Sequence, residues 1–126
     1  METPPGFQLM QGFAVHRPRA TMSFRQAVEG AGQIVAFCRE NGIGRLLLDT
    51  TGLSGYGHPS TEDRFLFGEV VARAGQAAVK IAVLTVPAIM DAEQFGVTVA
   101  RNRGLLMAGF TSETEALAWL LDPNAA

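Results

Sequence analysis

The sequence predicts an α/β fold: a mixed sheet of four to five strands with a parallel core, an antiparallel N-terminal edge and about four helices. Two observations carry that expectation. Three short apolar runs, at 45–49, 80–85 and 105–110, alternate with longer stretches whose apolar residues recur at helical spacing. Each longer stretch also opens on a short polar residue with a partner three positions on: Ser23 with Gln26, Ser60 with Asp63, Asp91 with Gln94, and Ser112 with Glu115. At that spacing the first side chain accepts from an orphan backbone N–H and the second reaches back to the cap. Strand and helix alternating in this way form crossovers over a parallel sheet.

Taken in order, residues 1–6 (METPPG) read as a frayed end. Residues 7–10 and 13–16 alternate loosely around Gln11-Gly12, with Pro18 closing the second run, which predicts two short strands at the antiparallel edge. The first helix aligns Phe24, Ala27, Val28, Ala31, Ile34, Val35 and Cys38, and ends at Asn41-Gly42. Leu46-Leu47-Leu48 closes on Asp49 as the next strand. Helix two offers Phe67, Val70, Val71 and Ala74, with Gly75 as a left-handed stop. The run at 80–85 has no alternation, as a strand buried on both faces should not. Helix three offers Ala92, Phe95, Val99 and Ala100 before Gly104. The last strand reaches Phe110, and helix four places Ala116, Leu117, Leu120 and Leu121 before Asp122-Pro123.

At 126 residues the chain suits one domain, with roughly 6,500 Å² of folded surface. It is 48% hydrophobic and 17% charged, a globular balance. A net charge of −2 with no basic stripe argues against nucleic acid as a partner. The lone Cys38 excludes an internal disulfide and a multi-cysteine metal site, and reads as an inert core thiol. No apolar run approaches the ~20 residues of a transmembrane segment, and METPPGFQ lacks the basic-then-apolar order of a signal peptide, so a cytoplasmic location is expected.

The loop at 50–61 is the stretch richest in chemistry. Ligands of open α/β sheets gather beyond the carboxyl ends of strands, where helix N-termini point. Asp49, Thr50, Thr51, Tyr56, His58, Ser60 and Thr61 should lie near that edge, with Asp49, Thr51, Tyr56, His58, Ser60 and Thr61 as ligand-binding or regulatory candidates beneath a glycine-bearing flap. The plainer reading is a surface loop with turn residues and a capping serine. Gly52, Gly55 and Gly57 do not make a phosphate loop: their spacing reverses the dinucleotide fingerprint and no Lys-Ser or Lys-Thr pair follows. Tyr56 stands where a nucleophile elbow needs its second glycine, which weighs against serine hydrolysis. His16 and His58 lack metal-ligand spacing, and the acids at 62–63, 91/93 and 113/115 suit first helical turns. Phe65 and Phe67 lie about 160° apart on a helix and cannot both face one sheet. One of them is left for a pocket or a partner subunit.

Leu46-Leu47-Leu48-Asp49, Lys80-Ile81-Ala82-Val83-Leu84, Asn102-Arg103-Gly104, and Phe110 followed by Ala116-Leu117-Ala118-Trp119-Leu120 resemble the SpoIIAA-like family. Those are small bacterial proteins related to STAS domains and grouped loosely with CRAL-TRIO lipid-binding domains. The resemblance runs from about Phe13 to Leu121 and is most specific in the last strand and helix. It implies a four- or five-stranded mixed sheet, no cofactor and a regulatory or ligand-binding role. The short Asp-Ser-Ser-Gly-type turn that carries a phosphorylatable serine in the anti-sigma antagonists is replaced here by the longer loop before Ser60-Thr61. Only a hydroxyl at the helix start is retained, and capping explains Ser60 with Asp63 without further assumption.

Three functions follow as expectations. The first is a non-enzymatic regulatory or ligand-binding module that forms a homodimer or meets a protein partner. The second is a carrier of a small apolar or amphipathic molecule, and the third a small hydrolase-type enzyme using Asp49, His58 and Ser60.

Overall fold

The computed structural model describes residues 2–91 and 94–126. In chain order the elements are β1 (Phe7–Leu9), β2 (Ala14–His16), β3 (Ala20–Thr21), α1 (Phe24–Glu40), β4 (Arg45–Asp49), β5 (Leu53–Ser54), α2 (Thr61–Gly75), β6 (Lys80–Leu84), α3 (Phe95–Asn102), β7 (Met107–Phe110) and α4 (Glu113–Leu121). The α/β class is as expected, with a five-stranded mixed sheet in the order β1-β2-β4-β6-β7. Only the β1–β2 pair is antiparallel; β2, β4, β6 and β7 run parallel. The strand at 14–16 therefore lies one place in from the edge, and β1 forms the edge itself. Pro4 to Gly6 is tied down rather than frayed, since Phe7 N–H donates to Pro4 O and Arg17 N–H to Gly6 O.

The parallel strands follow one another across the sheet without reversing. Crossovers of one hand then deliver every connecting helix to the same face. Residues of α1, α2 and α3, among them Val35, Cys38, Val71 and Ala100, pack there on Leu46, Leu48, Ile81 and Met107. Alternation along the strands sends Leu47, Ala82 and Leu84 to the opposite face, where α4 supplies Ala116 and Leu120. Helices α2 and α3 approach closely because of a glycine: a Cβ on Gly68 would stand 2.5 Å from Gly96 O. The folded surface is 6,706 Å². No helix among the described residues is long and apolar enough to cross a membrane.

Three local expectations are corrected. Ser23 and Ser60 form complete capping boxes, and Ser112 accepts from Glu115 N–H, but the third helix begins at Phe95 instead of after Asp91. Its N-cap is Gln94 in the left-handed region (φ 47°), and Asp91 reaches from outside the helix to accept from Phe95 N–H at 3.0 Å. Ala92 lies outside the described residues. Helix two stops one residue later than its glycine: Gln76 (φ 48°) takes the left-handed position. Gly75 is needed instead for space, since a Cβ there would meet Leu105 Cδ1 at 2.7 Å. The flap is also not wholly free. Leu53–Ser54 pairs in parallel with Ala20–Thr21, a two-residue ladder too short to leave a periodic signal.

Candidate functional site

Strand β4 ends on Asp49 with Thr50 immediately after it, and the pleat turns the two to opposite faces. Asp49 follows Leu47 toward α4, whereas Thr50 faces the three-helix layer and lines a cleft there. That cleft has a volume of about 120 Å³. It lies at the carboxyl ends of β4, β6 and β7, between the first turns of α1, α2 and α3. Its floor is Val83 with Gly109, which are register partners on β6 and β7. Gly109 has no side chain to fill the space, so Gln94 and Met90 hang over it; a Cβ there would meet Gln94 Oε1 at 3.1 Å and Met90 Cε at 3.2 Å. Ala27, Val28 and Ala31 of α1 and Phe67 of α2 make the side walls. Phe24 and Tyr56 meet edge to face at the rim, with centroids 5.4 Å apart.

The polar groups of the cleft are few. Thr50 Oγ1 donates to Leu84 O at 2.8 Å. Arg64 Nη1 donates to Ile89 O at 3.1 Å and pairs with Asp91 Oδ1 at 3.3 Å, tying the 86–91 segment to α2. Thr85 and Gln94 complete the polar lining. Burial raises the Tyr56 phenol above its ordinary value, so the ring is neutral at physiological pH.

On the opposite face Asp49 is 7% exposed and fully engaged. It accepts from Thr51 Oγ1 at 2.6 Å, Thr51 N–H at 3.0 Å and Arg17 Nη1 at 2.5 Å. Burial pushes its carboxyl up, but the Thr51 hydrogen bonds and the Arg17 guanidinium outweigh that and hold it below the usual range. Arg17 also forks onto Glu113 at 2.6 and 2.9 Å, which lowers the Glu113 carboxyl and raises the guanidinium further. Cys38 is inaccessible and its thiol is pushed up to about 11 by burial, as an inert core cysteine requires.

The expected loop cluster is therefore divided. Tyr56 and Phe67 line the cleft, whereas Asp49 and Thr51 belong to the ion-pair network behind the sheet. His58, Ser60 and Thr61 are exposed, and the Ser60 hydroxyl accepts from Asp63 N–H at 3.0 Å as a cap. Of the two phenylalanines, Phe67 turns inward and Phe65 outward, 39% exposed beneath the Arg103 guanidinium at 5.2 Å. Arg64, Thr85 and the 89–91 turn were not legible as site residues. Thr50 lies at the edge where the sequence places it, and Thr85 follows its apolar strand in the same way, so that position at a carboxyl end is the available signal.

Fold and cleft define a class: an α/β protein with a mixed sheet, four of its strands parallel and in chain order, and a small apolar cleft at the carboxyl edge. No protein-family model, no curated protein and no solved structure gives a significant match to this chain.

Proposed function

We propose that this protein is a non-enzymatic binding module that takes one small apolar or amphipathic molecule into the carboxyl-edge cleft. The cleft itself carries the reading: mostly apolar walls with a few polar side chains among them, at the carboxyl ends of the parallel strands. Its volume of about 120 Å³ approaches the ~150 Å³ of a cavity that accepts benzene, so it suits a ring or short chain and is too small for a long acyl tail. Against hydrolysis, Asp49 is committed to Arg17 and Thr51, and the Ser60 hydroxyl to its helix cap. The SpoIIAA-like resemblance agrees with a regulatory or ligand-binding role.

Methyl NMR tests the proposal. A panel of single-ring and short-chain fragments should shift the methyls of Ala27, Ala31, Val83 and Val97 and leave those of Leu47 and Leu120 unmoved. Gly109→Val, which fills the floor, should abolish the shifts while circular dichroism reports an intact fold. A panel that moves none of these methyls overturns the reading.

The exposure of Phe65 favours a second reading, weak self-association through α2. A buried phenylalanine contributes ~1.5–3 kcal/mol, and a two-fold contact counts it twice. Sedimentation at micromolar concentration should then show a dimer that Phe65→Ser removes. A monomeric wild type ends this second reading.

A further inference from the structure

We infer that the cleft selects uncharged ligands: neutral single-ring molecules bearing one hydrogen-bonding group, of the phenol type, in preference to carboxylates or amines of the same size. The inference rests on the binding role proposed above and concerns what that site accepts. Among the described residues the cleft wall carries one cation and one anion, Arg64 and Asp91. They are paired with each other, Arg64 Nη1 lying 3.3 Å from Asp91 Oδ1, so the wall is neutral overall. Arg64 is engaged by Ile89 O and by Asp91, while Asp91 has Arg64 on one oxygen and Phe95 N–H on the other. Their side chains are 18% and 29% exposed, so water compensates little for a partner taken away.

A carboxylate entering the cleft would lose its hydration and meet a guanidinium whose charge Asp91 already offsets; an ammonium would meet a carboxylate offset in the same way by Arg64. Moving either ion from water against a neutral, mostly apolar wall is unfavourable. A neutral ring avoids that penalty and keeps the apolar gain from Ala31, Phe67 and Val83. Its single polar group has neutral candidate partners in Tyr56, Thr85 and Gln94 of the lining. Each of these can donate as well as accept, so none of them demands charge.

Size-matched probes decide the matter: phenol, benzoate, benzylammonium and toluene, titrated against the same cleft methyls at pH 7. Phenol should bind at least tenfold more tightly than benzoate and benzylammonium. Asp91→Asn keeps the cap to Phe95 N–H but frees Arg64, and should improve benzoate several-fold relative to phenol. Tyr56→Phe should weaken phenol and leave toluene unchanged. Benzoate or benzylammonium binding wild type as tightly as phenol overturns the selectivity and leaves the binding role standing. An Asp91→Asn variant with an unchanged benzoate-to-phenol ratio also overturns it, because the ion pair would then not be what excludes the anion. If no probe moves the methyls, the binding role fails and the selectivity with it.

Discussion

The two faces of the sheet are built on different principles. One carries three helices, and their hydrophobic contacts make up the larger core. The other carries only the nine residues of α4, packed on Val15, Leu47, Ala82 and Leu84. Three helices converging over one sheet edge cannot fill the wedge between their first turns, and Gly109 deepens it, so the thick face holds the cleft. The thin face is fastened electrostatically at both ends of its helix. Arg17 clamps Glu113 at the start of α4, and Lys80 donates to Trp119 O and Asp122 O, each at 2.8 Å, at its end. The Lys80 ammonium also lies 4.5 Å from the Trp119 ring centroid. Acid at the N-terminus and cation at the C-terminus both match the helix dipole. The lesson is that polar residues at strand ends serve opposite purposes on the two faces: a short helix is anchored on one, and the mouth of a cleft is lined on the other.

The largest test of this contrast is truncation of the two cores. Leu46→Ala beneath three helices and Leu120→Ala on the inner side of α4 should each cost about 2–5 kcal/mol in urea unfolding, because both side chains are fully buried. A loss below about 1 kcal/mol at Leu120 would mean that α4 is held by its charged ends alone. Next comes the crossing of α2 and α3, where Gly68→Ala forces a methyl to within 2.5 Å of Gly96 O. It should destabilise by about 1–3 kcal/mol and, because Gly96 lines the cleft, move the methyl signals of Val97. An unperturbed Val97 would show that the helices separate without disturbing the cleft.

The thin face should alone show an acid limb. In the folded chain Asp49 and Glu113 titrate below their ordinary values of 3.8 and 4.5. Their contribution is therefore complete above those values and lost as pH falls through them toward the lower folded ones. Asp49→Asn should cost about 1–2 kcal/mol at pH 7, discounted for the half-exposed Arg17, and should flatten the fall in stability below about pH 4.5. An unchanged acid limb would assign it to other carboxylates. The smallest effect belongs to neither face. Gln76 holds a left-handed cap that glycine adopts without strain, so Gln76→Gly should raise stability by about 0.5–1 kcal/mol.

How much of this was legible differs from element to element. The capping serines at 23, 60 and 112 announced their helices correctly, because a cap is a contact between residues three apart in sequence. The third helix misled for the same reason: Asp91 caps it, but across a left-handed Gln94 that adds a residue the spacing rule does not anticipate. Phe65 and Phe67 were rightly separated by helical geometry, yet only packing decided which one turned inward. The loop candidates were grouped by proximity along the chain. The two-residue period that separates Asp49 from Thr50 was already present in the strand, and it would have divided them.

What the sequence determined by itself was local and periodic: the strand runs, the helix starts, the order in which they alternate, and hence an α/β fold with a parallel core. The tertiary structure alone decided the rest. The cleft is formed by residues from β6, β7, the loop after β4 and three helix ends, and Arg64 meets Asp91 across 27 positions. Such partners leave no mark at any fixed spacing, because the distance between them is set by how helices of given length cross the sheet and not by the chain that joins them.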